Sequence, residues 1–259
     1  MKTNFRRMQP VMALALLPLV SVNPDGQLPV DPNARLTIGA NATYNVSGYA
    51  TDDDFSFMPQ AFYDNNRVYV EGAEAGFYPY KDANDHVRVG ISYDGREFDP
   101  SDALDVAQRE LDKRKWSALA HASYMHITPY GGLRVKATTD ALGRHDGQTV
   151  TLSHLSKFNF ADNKVTVYPE FGAVWQSKDY NQYYYSVSAA ESARTGVDAF
   201  QAKSGWMPFA TVTASYQLTD HVSIFGNQRV EWLSSTQKDS PLTDDDIDSK
   251  TRVGVNYKF

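Results

Sequence analysis

No cysteine occurs in the 259 residues, so neither a disulfide framework nor thiolate chemistry is available to this chain. Long apolar runs are missing too. The nearest approach, residues 11–22, contains Pro18 and falls well short of the about 20 apolar residues a spanning helix requires. Basic charge is scarce: the formal net charge is -6, which leaves no electrostatic footprint for nucleic acid. No internal repeat or low-complexity linker divides the chain. The short apolar run is, however, preceded by Lys2, Arg6 and Arg7, the basic and apolar regions of a secretory signal. The sequence therefore reads as an exported chain, with a signal peptide over 1–22 and one domain over 23–259.

Aromatic residues, by contrast, are abundant: 13% of the chain, 16 of them Tyr, although the mean hydropathy is -0.48. A polar chain rich in aromatics points to strands whose two faces meet different solvents. At the C-terminus Val253, Val255, Tyr257 and Phe259 share one face, and Arg252, Gly254, Asn256 and Lys258 the other. The same alternation runs through 222–232, 206–218, 165–176, 133–137, 116–124 and 87–93, with Pro169 costing its strand one ladder donor. Weaker candidates lie at 35–44, 55–63, 67–78 and 148–160. Segments of about 8–12 residues closed by aromatics suit tilted strands crossing a bilayer.

Arg88, Arg134, Lys136, Glu170, Arg229, Glu231 and Arg252 all fall mid-strand on the polar face. That face would be the exterior of a soluble sandwich or the lumen of a membrane barrel, and the signal segment and the terminal aromatic favour the barrel. Its opposite charges are expected to form a network filling the lumen; a charge-selective constriction would use the same residues. Arg229, Glu231 and Arg252 lie on the last two strands, which must pair.

Connections alternate between short (128–131, 161–164, 219–221) and long (97–115, 177–205, 234–248), as in outer-membrane barrels with periplasmic turns and external loops. Eleven segments can be counted, and single-chain bacterial barrels are even-numbered. The expected fold is all-β: an antiparallel transmembrane β-barrel of about twelve strands, or ten, with the miscount inside residues 23–85. In the long loop 177–205, Ser188 and Glu191 form a capping-box pattern and Gly196 a helix stop, so one or two helical turns are expected there. Ser101 is expected to cap a short helix containing Leu104 and Leu111.

Three histidines adjoin aspartates: Asp85-His86, Asp220-His221 and His145-Asp146. His145 and Asp146, in an external loop near Ser153, are the one arrangement that could activate water or a serine. Adjacent strand residues point to opposite faces, so adjacency makes no dyad and no catalytic residue is assigned. Asp52-Asp53-Asp54 and Asp244-Asp245-Asp246 with Asp248 lack the spaced ligands of a calcium loop and read as solvated acidic segments. His121 and His126, five apart on a strand, cannot share a face. No metal or cofactor is expected.

The segment from Asn181 to Gly196, NQYYYSVSAAESARTG, resembles the signature loop of the MltA-interacting protein family, also called MipA/OmpV. Its Tyr183, Tyr184, Tyr185, Ser188, Glu191, Ser192 and Gly196 carry the likeness, with Ser186 standing where the family usually has glycine. Phe98 to Asp102, Leu111 to Lys115, Asp239-Ser240-Pro241 and the ending Gly254 to Phe259 occur in the family's order. The resemblance implies a non-enzymatic barrel in the lipid of the outer membrane, with Tyr257 and Phe259 as assembly signal. It also implies partners in the periplasm, a murein transglycosylase and a murein synthase, and as the other function class a porin-like transport or binding barrel. On the scaffold reading, partners are expected at the short turns near Tyr130, Asp162 and Asp220. The tyrosine loop would face outward, covering the mouth or meeting an external ligand.

Overall fold

In the computed structural model, which describes residues 26–259, one antiparallel sheet closes on itself. The expected signal peptide, 1–22, lies outside the described residues. The strands are β1 (Thr37–Val46), β2 (Asp54–Asp64), β3 (Val68–Glu71), β4 (Glu74–Lys81), β5 (Asp85–Tyr93), β6 (Ala118–Thr128) and β7 (Gly131–Asp140). They continue with β8 (Gln148–Leu155), β9 (Phe158–Phe160), β10 (Val165–Gln176), β11 (Gly205–Gln217), β12 (Val222–Trp232) and β13 (Ile247–Lys258). Neighbours in sequence pair, and β13 closes the ring on β1 from Thr37↔Lys258 to Val46↔Ser249.

The ring has twelve strands because β8 and β9 are one strand interrupted. Both pair with β10 in a single register, Leu155 opposite Glu170 and Phe160 opposite Val165. The break falls opposite Pro169: Ser156 N–H donates to its carbonyl at 2.9 Å, and the proline has no N–H to return. The strand missed by sequence periodicity lies within 67–78. That segment is a hairpin of two short strands, β3 and β4, turning at Gly72-Ala73 with Gly72 at φ 62°. Following the pairing once around the wall returns to β1 about 16 residues out of step, the stagger a tilted barrel needs.

Alternation sorts the side chains. Ile38, Phe57, Leu133, Leu152, Phe171, Val212, Ile224 and Val253 stand exposed on the outer face. Arg88, Arg134, Lys136, Glu170, Arg229 and Glu231 occupy the opposite, inner face of their strands. Aromatics ring both ends of the outer face. Tyr44, Tyr93, Trp206 and Trp232 lie toward one end; Phe160, Tyr216, Tyr257 and Phe259 lie toward the other, where the chain ends. A closed wall, apolar outside and polar inside, pairs nearly all of its backbone internally, β2 lacking a strand on one side at 54–60, and can therefore sit in hydrocarbon. The turns at the chain-terminal end, 65–67, 82–84, 129–130, 161–164 and 218–221, are short. At the far end lie 94–117, 177–204 and 233–246.

Such closure predicts heat-modifiable electrophoresis: a compact band without boiling and a slower one after it. Identical mobility, with recovery in a soluble periplasmic fraction, would contradict the barrel. Phe259 extends the closing pair, its N–H donating to Leu36 O at 3.1 Å and its ring meeting Tyr257 edge-on at 5.0 Å. Deleting it is expected to lower assembled yield without changing secretion.

Candidate functional site

The far end of the barrel is closed by its own loops. Ser177 leaves β10 in extended backbone and its Oγ accepts from Tyr180 N–H, starting α1 (Lys178–Tyr185). Helical spacing then puts Tyr180 and Tyr184 on one side, their rings 4.9 Å apart, and turns Asn181 and Tyr185 inward beside them. Tyr184 is 0% and Tyr185 1% exposed. They pack with Tyr49, Phe98, Leu111, Val187, Ala202 and Leu242, so every long loop contributes to one aromatic core across the mouth.

Polar contacts pin this plug. Arg96, on the loop after β5, contacts the Tyr185 hydroxyl and reaches the barrel wall at Asp248 (2.8 Å) and Glu231 (3.4 Å). Tyr184 donates its hydroxyl to Asp94 at 2.8 Å, and Tyr49 donates to Tyr184 O at 3.1 Å. Lys115 N–H donates to the Tyr183 hydroxyl at 2.9 Å. Burial pushes the Tyr184 and Tyr185 hydroxyls well up, so both remain protonated donors. Ser186, in place of the family's glycine, sits at φ -89°, which any residue adopts, and its Oγ accepts from Ala202 N–H.

The sequence-predicted cap and stop are in place: Ser188 and Glu191 form the capping box of α2 (Ala189–Thr195), and Gly196 ends it at φ 78°. Ser192 lies within the helix, its N–H donating to Ser188 O at 2.9 Å. Glu191 also ties two loops together, accepting from Arg114 at 2.6 Å and from Asp112 N–H at 3.2 Å. The helix expected at Ser101 is corrected. Asp99 and Asp105 cap two separate 3-10 turns, Pro100–Asp102 and Val106–Glu110; Leu111 is buried and Leu104 exposed.

Burial opposes ionisation of Glu191, yet the Ser188 N–H and the Arg114 guanidinium outweigh it and hold the carboxyl down to about 2. An unfolded glutamate titrates near about 4.3, so this tether contributes fully above that pH and is lost as pH falls through about 2. Hydrogen exchange of residues 94–117 is expected to rise across that window and not above it, and Glu191→Gln should abolish the step. A step unchanged in that variant would contradict the assignment.

Inside the wall, the predicted charges divide into several pairs rather than one network. Arg134 contacts Glu170; Lys136 and His121 meet at Glu74, His121 at 3.2 Å; Arg88 bonds Glu71 at 2.7 Å. Arg229 bonds Glu231 at 2.6 Å. The expectation that Arg252 joins that pair is corrected: register sets it level with Asn227 and Thr43, one inward step from Arg229, which instead faces Lys250. Arg96, from a loop without periodicity, is the cation that joins Glu231 to Asp248.

The histidine-aspartate neighbours lie in separate parts of the barrel. His145 is buried among the rings of Tyr180, Tyr183 and Tyr184, and its Nδ1 accepts from Gly147 N–H at 2.9 Å. Burial pushes its pKa down, against the pull of Asp140 and Asp94. Asp146 is exposed and Ser153 lies on the wall of β8. Asp85 meets Tyr124 and His126, and His221 meets Lys258 O in a terminal-end turn. His121 is buried and His126 exposed, on opposite faces of β6. Asp52, Asp53 and Asp54 stand exposed near the far rim, Asp53 accepting from Tyr44.

Closed wall, apolar belt, charged lumen and loops gathered at one end define an outer-membrane β-barrel. The chain belongs to the MltA-interacting protein MipA family, whose model matches residues 38–259. It is 32% identical to the MltA-interacting protein of Escherichia coli (strain K12) over 80% of this chain and 83% of that protein. It is 28% identical to YiaT of the same organism, whose name provisionally calls it an outer membrane protein, over 84% of this chain and 88% of that one. Among solved structures, an outer membrane channel of Pseudomonas putida F1 aligns with TM-score 0.45 and 9% identity, covering 92% of this chain and 99% of that one.

Proposed function

We propose that this barrel is a non-enzymatic outer-membrane anchor that holds murein-processing enzymes, a lytic transglycosylase and a murein synthase, at its periplasmic end. One observation carries the reading: the mouth is filled by an aromatic core pinned to the wall through Arg96, so the protein's business is with surfaces and not with passage. The name of the Escherichia coli relative, which records an interaction with MltA, supports a partner of that kind. The periplasmic surface consists of the short turns. Tyr130 is 87% exposed at the tip between β6 and β7, an aromatic available to a partner; Asp162 lies exposed on the next turn around that rim and Asp220 on the one after.

A photo-crosslinker at Asp162 or Tyr130 is therefore expected to capture the transglycosylase from intact envelopes, and one at Asp198, on the external loop, is not. Capture from Asp198 alone would reverse the topology and overturn the reading. A binding barrel is the second reading, favoured by one feature: the plug leaves a cavity beside β1, β2 and β13.

A further inference from the structure

That cavity, about 530 Å³, descends the lumen side of β1, β2 and β13 from Asp52 at the rim to Gln60 and Arg252. Its deep wall is short of negative charge. Arg96, Lys250, Arg252 and Asp248 line it, with Arg229 and Glu231 beside them on β12, four cations against two carboxylates. Arg96 and Arg229 consume both carboxylates. Among the described residues, Lys250 and Arg252 have no ion pair and no side-chain hydrogen bond, although both line the cavity from alternate positions on one face of β13. The other acids of the cavity wall are engaged or remote. Glu97 and Asp99 share Lys113, Asp94 accepts from Tyr184 and from Ser117 N–H, Asp54 accepts from Asn45, and Asp52 and Asp102 are exposed at the rim.

Two cations without a carboxylate partner, Lys250 half-buried and Arg252 open to the lumen, attract an anion. We propose that Lys250 and Arg252 form an oxyanion-binding site, taking the phosphate or carboxylate of a small solute or of a lipid headgroup. Arg252 offers the planar fork suited to such groups and Lys250 a point charge beside it. Both routes of entry exist. The cavity opens at the rim, and the wall beside it is low. The β3–β4 hairpin ends at Gly72, whose N–H donates to Ala61 O at 2.9 Å, while β2 continues through 54–60 above it. Gly72 and Ala73 line the cavity at that step, and Phe55 and Phe57 lie on the outer face of β2 alongside, exposed to the bilayer. The site is independent of the anchor reading, since binding requires no passage.

Calorimetric titration of the refolded barrel with inorganic phosphate, at constant ionic strength, tests the soluble route. Retention of phosphatidylglycerol over phosphatidylcholine after reconstitution and detergent extraction tests the lipid route. Binding in the first arm assigns a soluble oxyanion, and selective retention in the second a headgroup; either upholds the site if Lys250→Gln/Arg252→Gln weakens it by about tenfold or more while Lys164→Gln does not. Heat-modifiability of each variant verifies its fold, and the single variants serve if the double fails to fold. No selective binding in either arm, or binding indifferent to Lys250 and Arg252, overturns the proposal.

Discussion

Arg96→Ala is expected to turn a closed barrel into a leaky one. The guanidinium is the contact by which the loop after β5 holds both the tyrosine helix and the wall, through Tyr185, Asp248 and Glu231. Removing it leaves Asp248, which is also held by Gly48 N–H at 2.7 Å, as a buried carboxylate without its cation. Breaking a buried pair from one side costs about 3–5 kcal/mol, and even about 3 kcal/mol shifts a closed-to-open ratio by more than about a hundredfold. In proteoliposomes the variant should admit small sugars that the unmodified protein excludes, with the barrel still heat-modifiable. Arg96→Lys, keeping the charge but losing the fork, should fall between. Equal swelling rates for all three would remove Arg96 from the closure.

The second large effect is expected at Tyr184→Ala. The ring is fully buried and packs tilted against Tyr180 and edge-on against Tyr183, and its hydroxyl holds Asp94. Deleting a buried aromatic costs about 3–5 kcal/mol, and here the loss falls on a small core built from loops rather than on the wall. Loops 94–117 and 177–204 should become open to external protease at doses the unmodified protein survives, while the membrane-embedded strands remain protected. Tyr183→Ala, at a half-buried position, should have a much smaller effect. Comparable cleavage of both variants would mean that the plug does not depend on the Tyr184 side.

The wall was legible because period-two alternation directly encodes it: the inward Arg134, Lys136, Glu170, Arg229 and Glu231 and the outward Val253 and Val255 could be assigned from the sequence alone. The hairpin at Gly72 escaped because strands of four and eight residues give too few alternations to separate. Within the plug, capping chemistry is local, so Ser188, Glu191 and Gly196 were readable. The helix of the tyrosines was not. Tyr is an indifferent helix former, and the helix is held by packing against Tyr49, Phe98 and Leu242, residues brought from other loops. Ser177 as a cap was the one available signal. Arg96 had none, since its partners lie 89 residues away at Tyr185 and 135 residues away at Glu231, and register decided against Arg252 in the same way.

Planar-bilayer recording of the unmodified protein tests the central claim most directly, that the barrel is closed by its own loops and acts through its surfaces. The account predicts reconstituted, heat-modifiable barrels with little or no conductance at any moderate voltage, and a clear rise in the Arg96→Ala variant. A large, steady conductance that scales with salt in the unmodified protein would contradict it.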